Sequence, residues 1–276
     1  MISFPNCKLN LGLNIINKRE DGYHDLETVF LPIPFTDVLE IIPSENNAVE
    51  FTVTGLAVNA DDSNLCIKAY GLLKQDFPEL PAIKIHLHKV IPMGAGLGGG
   101  SADGAFTLQL VNNKFQLGLS EEHLINYALQ LGSDCPFFLI NKPCFATSRG
   151  EVLQQINIDL TGYKILIINP GIHIETQWAF SNILPVKPKI SIKDIIAQPV
   201  DTWKDQLHND FENPVFESYP EIKKIKEDLY QQGAVYASLS GSGSSVYGVF
   251  KKEHEISYIK NDKYFYKIID MGSSSY

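Results

Sequence analysis

Apolar residues Ile83, Ile85 and Leu87 alternate with Lys84, His86 and His88, and the same alternation recurs in Val49, Phe51 and Val53. A period of two sends successive side chains to opposite faces, so both stretches predict half-buried strands, of the kind usually paired antiparallel. The period then lengthens. Ser101 to Lys114 and Ser120 to Leu131 predict helices, the second opened by Ser120 as N-cap with Glu121 and Glu122 in its first turn. After Gly162 the apolar run Tyr163 to Asn169 predicts a strand that Pro170 and Gly171 stop, and Leu184 to Val200, rich in proline and lysine, reads as a surface connection. Pro220 to Gln231 is patterned as a charged amphipathic helix ending at Gly233. Ala234 to Leu239 and Val246 to Phe250 read as two strands joined through Ser240, Gly241, Ser242 and Gly243. No internal repeat is present. The expected organisation is two α+β domains, 1–155 and 156–276, divided near Gly150 to Gly162, with a polar tail from Gly272 to Tyr276.

Composition narrows the class of function. With 276 residues, 44% hydrophobic and 20% charged, the chain can bury a large core and fits a soluble globular protein. Apolar runs such as Ile165 to Ile168 fall far short of the ~18 residues that cross a bilayer. The start Met1, Ile2, Ser3, Phe4, Pro5 has no secretory pattern, so the expected location is the cytosol. Cys7, Cys66, Cys135 and Cys144 form no Cys-x-x-Cys pair and suggest neither a zinc site nor a disulfide framework. A net charge of −9 argues against nonspecific binding to nucleic acid, which needs basic patches. Any phosphate must therefore be held by a local device, and backbone amides attract anions without altering net charge.

Such a device is visible in Pro92, Met93, Gly94, Ala95, Gly96, Leu97, Gly98, Gly99, Gly100 and Ser101, between the alternating strand and a helix start. Glycine lets the backbone approach a ligand, and the unpaired N–H groups and dipole of the following helix face whatever is bound. A Walker A loop would need lysine where Gly100 stands. Gly94, Gly96 and Gly99 match a dinucleotide fingerprint, but the alternating strand before them is unlike the continuously apolar first strand of a Rossmann unit. A polyphosphate is the expected guest.

Three further groups carry chemistry. In Lys8-Leu9-Asn10-Leu11, strand periodicity places Lys8 and Asn10 on one face, although a lysine there is often simply solvated. In Leu131-Gly132-Ser133-Asp134-Cys135-Pro136-Phe137, Asp134 follows a helix end in apolar surroundings, as a proton acceptor for a hydroxyl or as an ordinary turn aspartate. Asp21-Gly22-Tyr23-His24 offers an aromatic face and an imidazole on a turn. The Ser240 to Ser245 turn is a second nest of amides, and no Gly-x-Ser-x-Gly elbow supports a hydrolase.

Taken in order, these motifs resemble those of the GHMP kinase superfamily, named for its galactokinase, homoserine, mevalonate and phosphomevalonate kinases. The glycine loop is similar to the superfamily's second signature and Ser240 to Ser245 to its third. The segments at Lys8, Asp21 and Leu131 resemble a branch whose acceptor is a cytidine diphosphate alcohol, and the likeness runs from about Pro5 to Phe250. It implies an N-terminal nucleotide-binding domain of the ribosomal-protein-S5-domain-2-like type, a ferredoxin-like C-terminal GHMP kinase domain, and a cleft between them. It further implies transfer of phosphate from ATP, with Mg²⁺, to a hydroxyl of a small molecule. The loop Pro92 to Ser101 would hold the ATP phosphates, with Ser101 the hydroxyl nearest the metal, and Asn64 and Lys89 would line the adenine pocket. Asp134 would be the catalytic base and Lys8 its charged partner. Asn10 would place the substrate, and Tyr23, His24 and Phe180 would hold the cytosine. The alternatives are a superfamily kinase for homoserine, mevalonate or a sugar, and a non-catalytic nucleotide or metabolite sensor; a pure binder has no need of both Lys8 and Asp134. Monomer and homodimer both fit, with neither nucleic acid nor membrane as partner. Cys7 and Ala95 depart from the commoner alanine and glycine, Asn6 adds a residue before the lysine motif, and Asp103 stands where asparagine is frequent.

Overall fold

The computed structural model describes residues 1–46, 48–59, 61–257 and 261–272, so that the tail beyond Gly272 lies outside the described residues. Along the chain come strands β1 Ile2–Ser3, β2 Asn6–Lys18, β3 His24–Thr36, β4 Val38–Pro43 and β5 Glu50–Gly55, helix α1 Leu65–Asp76, strand β6 Ile83–Lys89, and helices α2 Gly99–Phe115, α3 Glu121–Leu131 and α4 Cys135–Ile140. There follow β7 Cys144–Ser148, β8 Val152–Gln155, β9 Tyr163–Asn169, α5 Thr176–Ser181, α6 Ile192–Ile196, a 3-10 turn Val200–Asp205, α7 Glu212–Ser218, α8 Pro220–Gln231, β10 Tyr236–Leu239, β11 Val246–Lys251 and β12 Phe265–Met271. The chain divides into two compact units. One comprises Met1–Lys8, Pro32–Met93 and Gly98–Asn141, the other Leu9–Leu31, Gly94–Leu97 and Lys142–Tyr276.

In the first unit the sheet order is β1-β4-β6-β5. The alternating side chains Ile83, Ile85 and Leu87 of β6 are buried, while Lys84, His86 and His88 are partly or fully exposed. The antiparallel expectation holds for β4 against β6, where Leu39 faces Leu87, and fails for β5 against β6, which run parallel with Phe51 beside Ile85. The reason is helix α1, which lies between β5 and β6 in the chain and supplies the crossover that parallel neighbours need. Its buried Cys66, Ala69, Tyr70 and Leu73 fall on one helical stripe, and Asn64 caps it by accepting from the Cys66 amide at 2.9 Å. Helix α3 starts as its sequence predicts, with Ser120 accepting from the His123 amide. Helix α2 starts earlier than predicted, since Gly99 and Gly100 already belong to its first turn.

In the second unit β10-β11-β9-β12 form a sheet that is antiparallel throughout, with Ile168 facing Val246 and Ile165 facing Ile269. The continuous apolar run of β9 reflects burial on both faces, and Leu166 and Ile168 join a core with Ile222, Ile225 and Leu229 of α8. Those three residues sit at i, i+3 and i+7, so the charged helix buries a single stripe. The other sheet has the order β2-β3-β7-β8. The stretch Leu184 to Val200 departs from its reading as surface connection: it contains α6, whose Ile192, Ile195 and Ile196 are buried. Its prolines and lysines hide that apolar i, i+3, i+4 triad, and Glu27 fixes the helix start by accepting from the Ile192 amide at 2.9 Å. No helix among the described residues is long and apolar enough to cross a membrane. All four cysteines are buried and unpaired.

Candidate active site

A cavity of about 290 Å³ opens in the first unit, lined by residues that include Asn64, Met93, Gly100 and Asp103. Its size falls at the lower end of the range for small-ligand pockets. Asn64 contributes from the α1 N-cap, where its amide side chain is already committed, donating to the Asn59 carbonyl at 2.8 Å and accepting from Cys66. Lys89 is not on the cavity wall. Its side chain is fully buried and its ammonium donates to Asp37 at 2.5 Å and Asp103 at 2.6 Å. Asp37 in turn accepts from the amides of Val90 and Ile91 at 2.6 and 2.9 Å. Burial disfavours the Lys89 ammonium, but Asp103 and Asp37 together outweigh it and hold its pKa above the usual lysine value. The Asp103 carboxyl is pushed up to about 7 by burial, against the pull of Lys89. Asp103 Oδ1 is buried and has no hydrogen-bond partner among the described residues.

Beside this pocket, helix α2 begins without a side-chain cap: Gly98, its N-cap, is left-handed at φ 70°. The amides of its first turn are thereby left for a ligand. A Cβ on Gly98 would press on Phe138 and on the Lys8 side chain at 2.8 and 3.0 Å, so glycine is required there for both conformation and space. Lys8 reaches Asp134 at 3.6 Å. Lys8 is buried, which overturns the reading of it as a solvated strand residue. Burial lowers its pKa, and Asp134 opposes that only in part. Asp134 stands at the α4 N-cap without capping any amide through its side chain, and about a third of that side chain is open to solvent. The Ser101 hydroxyl lies against the Cys135 thiol, which burial pushes up to about 12.

The second unit holds the middle of the glycine loop. Ala95 and Leu97 are buried there, so their side chains anchor the loop and only their main chain remains for a ligand. The loop is fastened to the serine turn: Ser245 N donates to Ala95 O at 3.0 Å and Ser240 Oγ to Gly96 O at 2.8 Å. A Cβ on Gly96, at φ 76°, would run into the Ser240 carbonyl oxygen. Asn10 is bonded on three sides, through Nδ2 to Thr28 Oγ1 at 3.0 Å, through its amide to Ser240 Oγ at 3.3 Å, and through its carbonyl from Tyr247 Oη at 2.8 Å. His24 stacks on Phe180 with ring centroids 5.0 Å apart and planes 22° from parallel, and Phe211 meets Phe180 edge-on. The Tyr23 ring is more than half exposed, with the Arg149 guanidinium 5.0 Å above it.

The family model for the GHMP kinase N-terminal domain matches residues 64–142, and that for the C-terminal domain matches 191–262. A 4-diphosphocytidyl-2-C-methyl-D-erythritol kinase of Bacteroides fragilis is 51% identical over 259 residues, which cover 93% of this chain and 94% of the relative. One from Azobacteroides pseudotrichonymphae is 52% identical over 256 residues, covering 92% and 95%. The chain belongs to the 4-diphosphocytidyl-2-C-methyl-D-erythritol kinase family.

A crystal structure of a kinase with that specificity superposes on this member of the family with a TM-score of 0.78, at 29% identity over 90% of this chain and 89% of the other. The homoserine kinase of Cytophaga hutchinsonii, at 16% identity and a TM-score of 0.68, covers 97% of this chain and 95% of its own, and shares the fold alone. The chain therefore has the two-domain GHMP kinase fold and is an ATP-dependent small-molecule kinase. Within the first unit, Lys8, Asp134 and Gly98 come together. Within the second, His24 joins Phe180 and the glycine loop joins the serine turn. Sequence reading missed the Lys89 clamp on Asp37 and Asp103, whose members lie up to 66 residues apart between 37 and 103 with no shared motif. It also missed Arg149 above Tyr23, for which the sequence carries no signal.

Proposed function

We propose that the protein transfers the γ-phosphate of ATP to the 2-hydroxyl of 4-diphosphocytidyl-2-C-methyl-D-erythritol, a step of the non-mevalonate isoprenoid route. The observation that carries this reading is the Lys8–Asp134 pair beside Gly98, where the uncapped α2 terminus begins. A carboxylate with no capping duty, partly open to solvent, is suited to take a proton from an incoming alcohol. Asp134 accepts the hydroxyl proton as the alcohol oxygen bonds to the γ-phosphorus, and the bond from that phosphorus to the β-phosphate oxygen breaks to release ADP. Lys8, held near Asp134 and against Gly98, offsets negative charge on the transferring group.

The amides of the glycine loop cradle the β- and γ-phosphates. The base occupies the cavity lined by Asn64, Met93 and Asp103, while Lys89 acts at one remove by fixing Asp103. Asn10 orients the acceptor, and Tyr23, His24 and Phe180 receive its cytosine by stacking. Mg²⁺ is satisfied by few protein oxygens when phosphates supply the rest, and the Ser101 hydroxyl at the start of α2 would be one of them. When bound, the ion neutralises charge on the β- and γ-phosphates.

Assay of purified protein with ATP and a panel of alcohols tests the proposal. Acceptor-dependent ADP release is expected with the cytidine diphosphate alcohol and not with homoserine, mevalonate or a sugar. Turnover of one of those in its place, or ATP binding without release under any acceptor, would contradict it.

A further inference from the structure

The glycine loop contains neither lysine nor arginine between Pro92 and Ser101, and the chain as a whole carries a net charge of −9. At its middle, Gly94 to Leu97, no side chain can donate a hydrogen bond to an anion held there. Within the second unit, a third segment meets the loop and the serine turn. It runs from Asn169 to Thr176 and is tied down at several points. Asn169 Nδ2 donates to Ser244 Oγ and Ser245 Oγ, both at 3.1 Å, and Asn169 Oδ1 accepts from the Gly171 amide. Ser244 Oγ donates to the Ile172 carbonyl, and Thr176 Oγ1 meets Ser242 Oγ at 3.4 Å. Ile174 is buried and packs where a Cβ on Gly243 would stand.

This scaffold places the exposed His173 against Gly94: a Cβ on Gly94 would lie 3.1 Å from His173 Nδ1 and 3.4 Å from Cε1. The imidazole has no hydrogen-bond partner among the described residues. The carbonyls of Ala95 and Gly96 are turned into the serine turn, where Ser245 N and Ser240 Oγ satisfy them. In a trans peptide the N–H opposes the C=O, so the amides of Gly96 and Leu97 face away from that turn. Left-handed glycines at 94 and 96 shape such amides into an anion-binding concavity.

We propose that His173 is a phosphate-binding residue of the glycine loop, its imidazole supplying the side-chain donor that the loop's middle, Gly94 to Leu97, lacks. The inference rests on the kinase reading above. The anion is a phosphate group, and it comes either from the tail of ATP or from the diphosphate of the acceptor.

Direct titration of ATP, CDP and cytidine into the full-length wild-type protein and into His173→Ala and His173→Lys separates the possibilities without requiring turnover. His173→Ala is expected to lose about tenfold in affinity for ATP or for CDP, as a charge-assisted hydrogen bond would provide. Cytidine binding and melting temperature stay unchanged, and His173→Lys keeps most of the lost affinity. Loss confined to ATP assigns the residue to the nucleotide tail; loss confined to CDP assigns it to the acceptor. Unchanged affinity for both ligands, or an equal loss for CDP and cytidine, would overturn the proposal. Failure of the kinase reading shows separately, as wild-type protein that binds ATP yet leaves the cytidine diphosphate alcohol unphosphorylated.

Discussion

Two buried lysines of the first unit face carboxylates under opposite conditions. Lys89 is clamped between Asp37 and Asp103 at 2.5 and 2.6 Å, and its pKa is raised. Lys8 has Asp134 at 3.6 Å, with that carboxylate partly in solvent, and its pKa is lowered. Close paired carboxylates spend the lysine's charge on the interior and make it part of the architecture. A looser carboxylate, partly in solvent, stays open to a third group, which is what phosphoryl transfer needs. Burial of a lysine thus separates neither role from the other; the number and distance of its carboxylates do.

The largest change in stability is expected from Lys89→Met. Removing the ammonium strands two buried carboxyls, a loss of about 3–5 kcal/mol that denaturant unfolding would register. Lys8→Met, which keeps the buried volume, should do the reverse, leaving unfolding nearly unchanged because Asp134 can turn to solvent, while kcat falls by roughly 10² to 10³, as removal of one charge-stabilising donor does. A Lys8→Met protein that unfolds early but turns over normally would erase the contrast.

A smaller effect belongs to the aromatic face of the second unit. Tyr23→Ala should raise KM for the cytidine acceptor by roughly tenfold, within the ~1–3 kcal/mol of base–aromatic stacking, and leave KM for ATP unchanged in steady-state assays. The smallest shift is expected from Asp103→Asn, which keeps an acceptor for Lys89. The folded Asp103 carboxyl, at about 7, lies above its ordinary 3.8, so protonation favours the folded state. That contribution is complete below about pH 4 and is lost as pH rises through about 7. Between those limits the melting temperature of the wild type should fall relative to Asp103→Asn with rising pH; parallel profiles would show that the carboxyl does not titrate there.

Much of this arrangement is legible in sequence because local rules dominate it. The β9 run, the α8 stripe and the Ser120 cap follow from period and capping chemistry within a dozen residues, and all appear where the pattern puts them. The glycine loop is legible for the same reason, since the left-handed residues at 94, 96 and 98 need glycine. What is not legible depends on residues brought together from afar. The parallel β5–β6 pairing is set by the α1 crossover, which alternation within either strand does not record. The Lys8 side chain lies against Gly98, 90 positions on, and the Asp37 clamp depends on a residue 52 positions away. Composition misleads at α6, where prolines and lysines mask three buried isoleucines.

The central claim is that the carboxylate at position 134 takes the acceptor's proton. Single-turnover transfer from ATP to the cytidine diphosphate alcohol by Asp134→Asn, with ATP affinity measured alongside, addresses it most directly. Transfer is expected to slow by about 10² to 10⁴, the usual worth of a general base, with ATP affinity within about twofold of wild type, the amides of the loop being untouched. Transfer at close to the wild-type rate would contradict it.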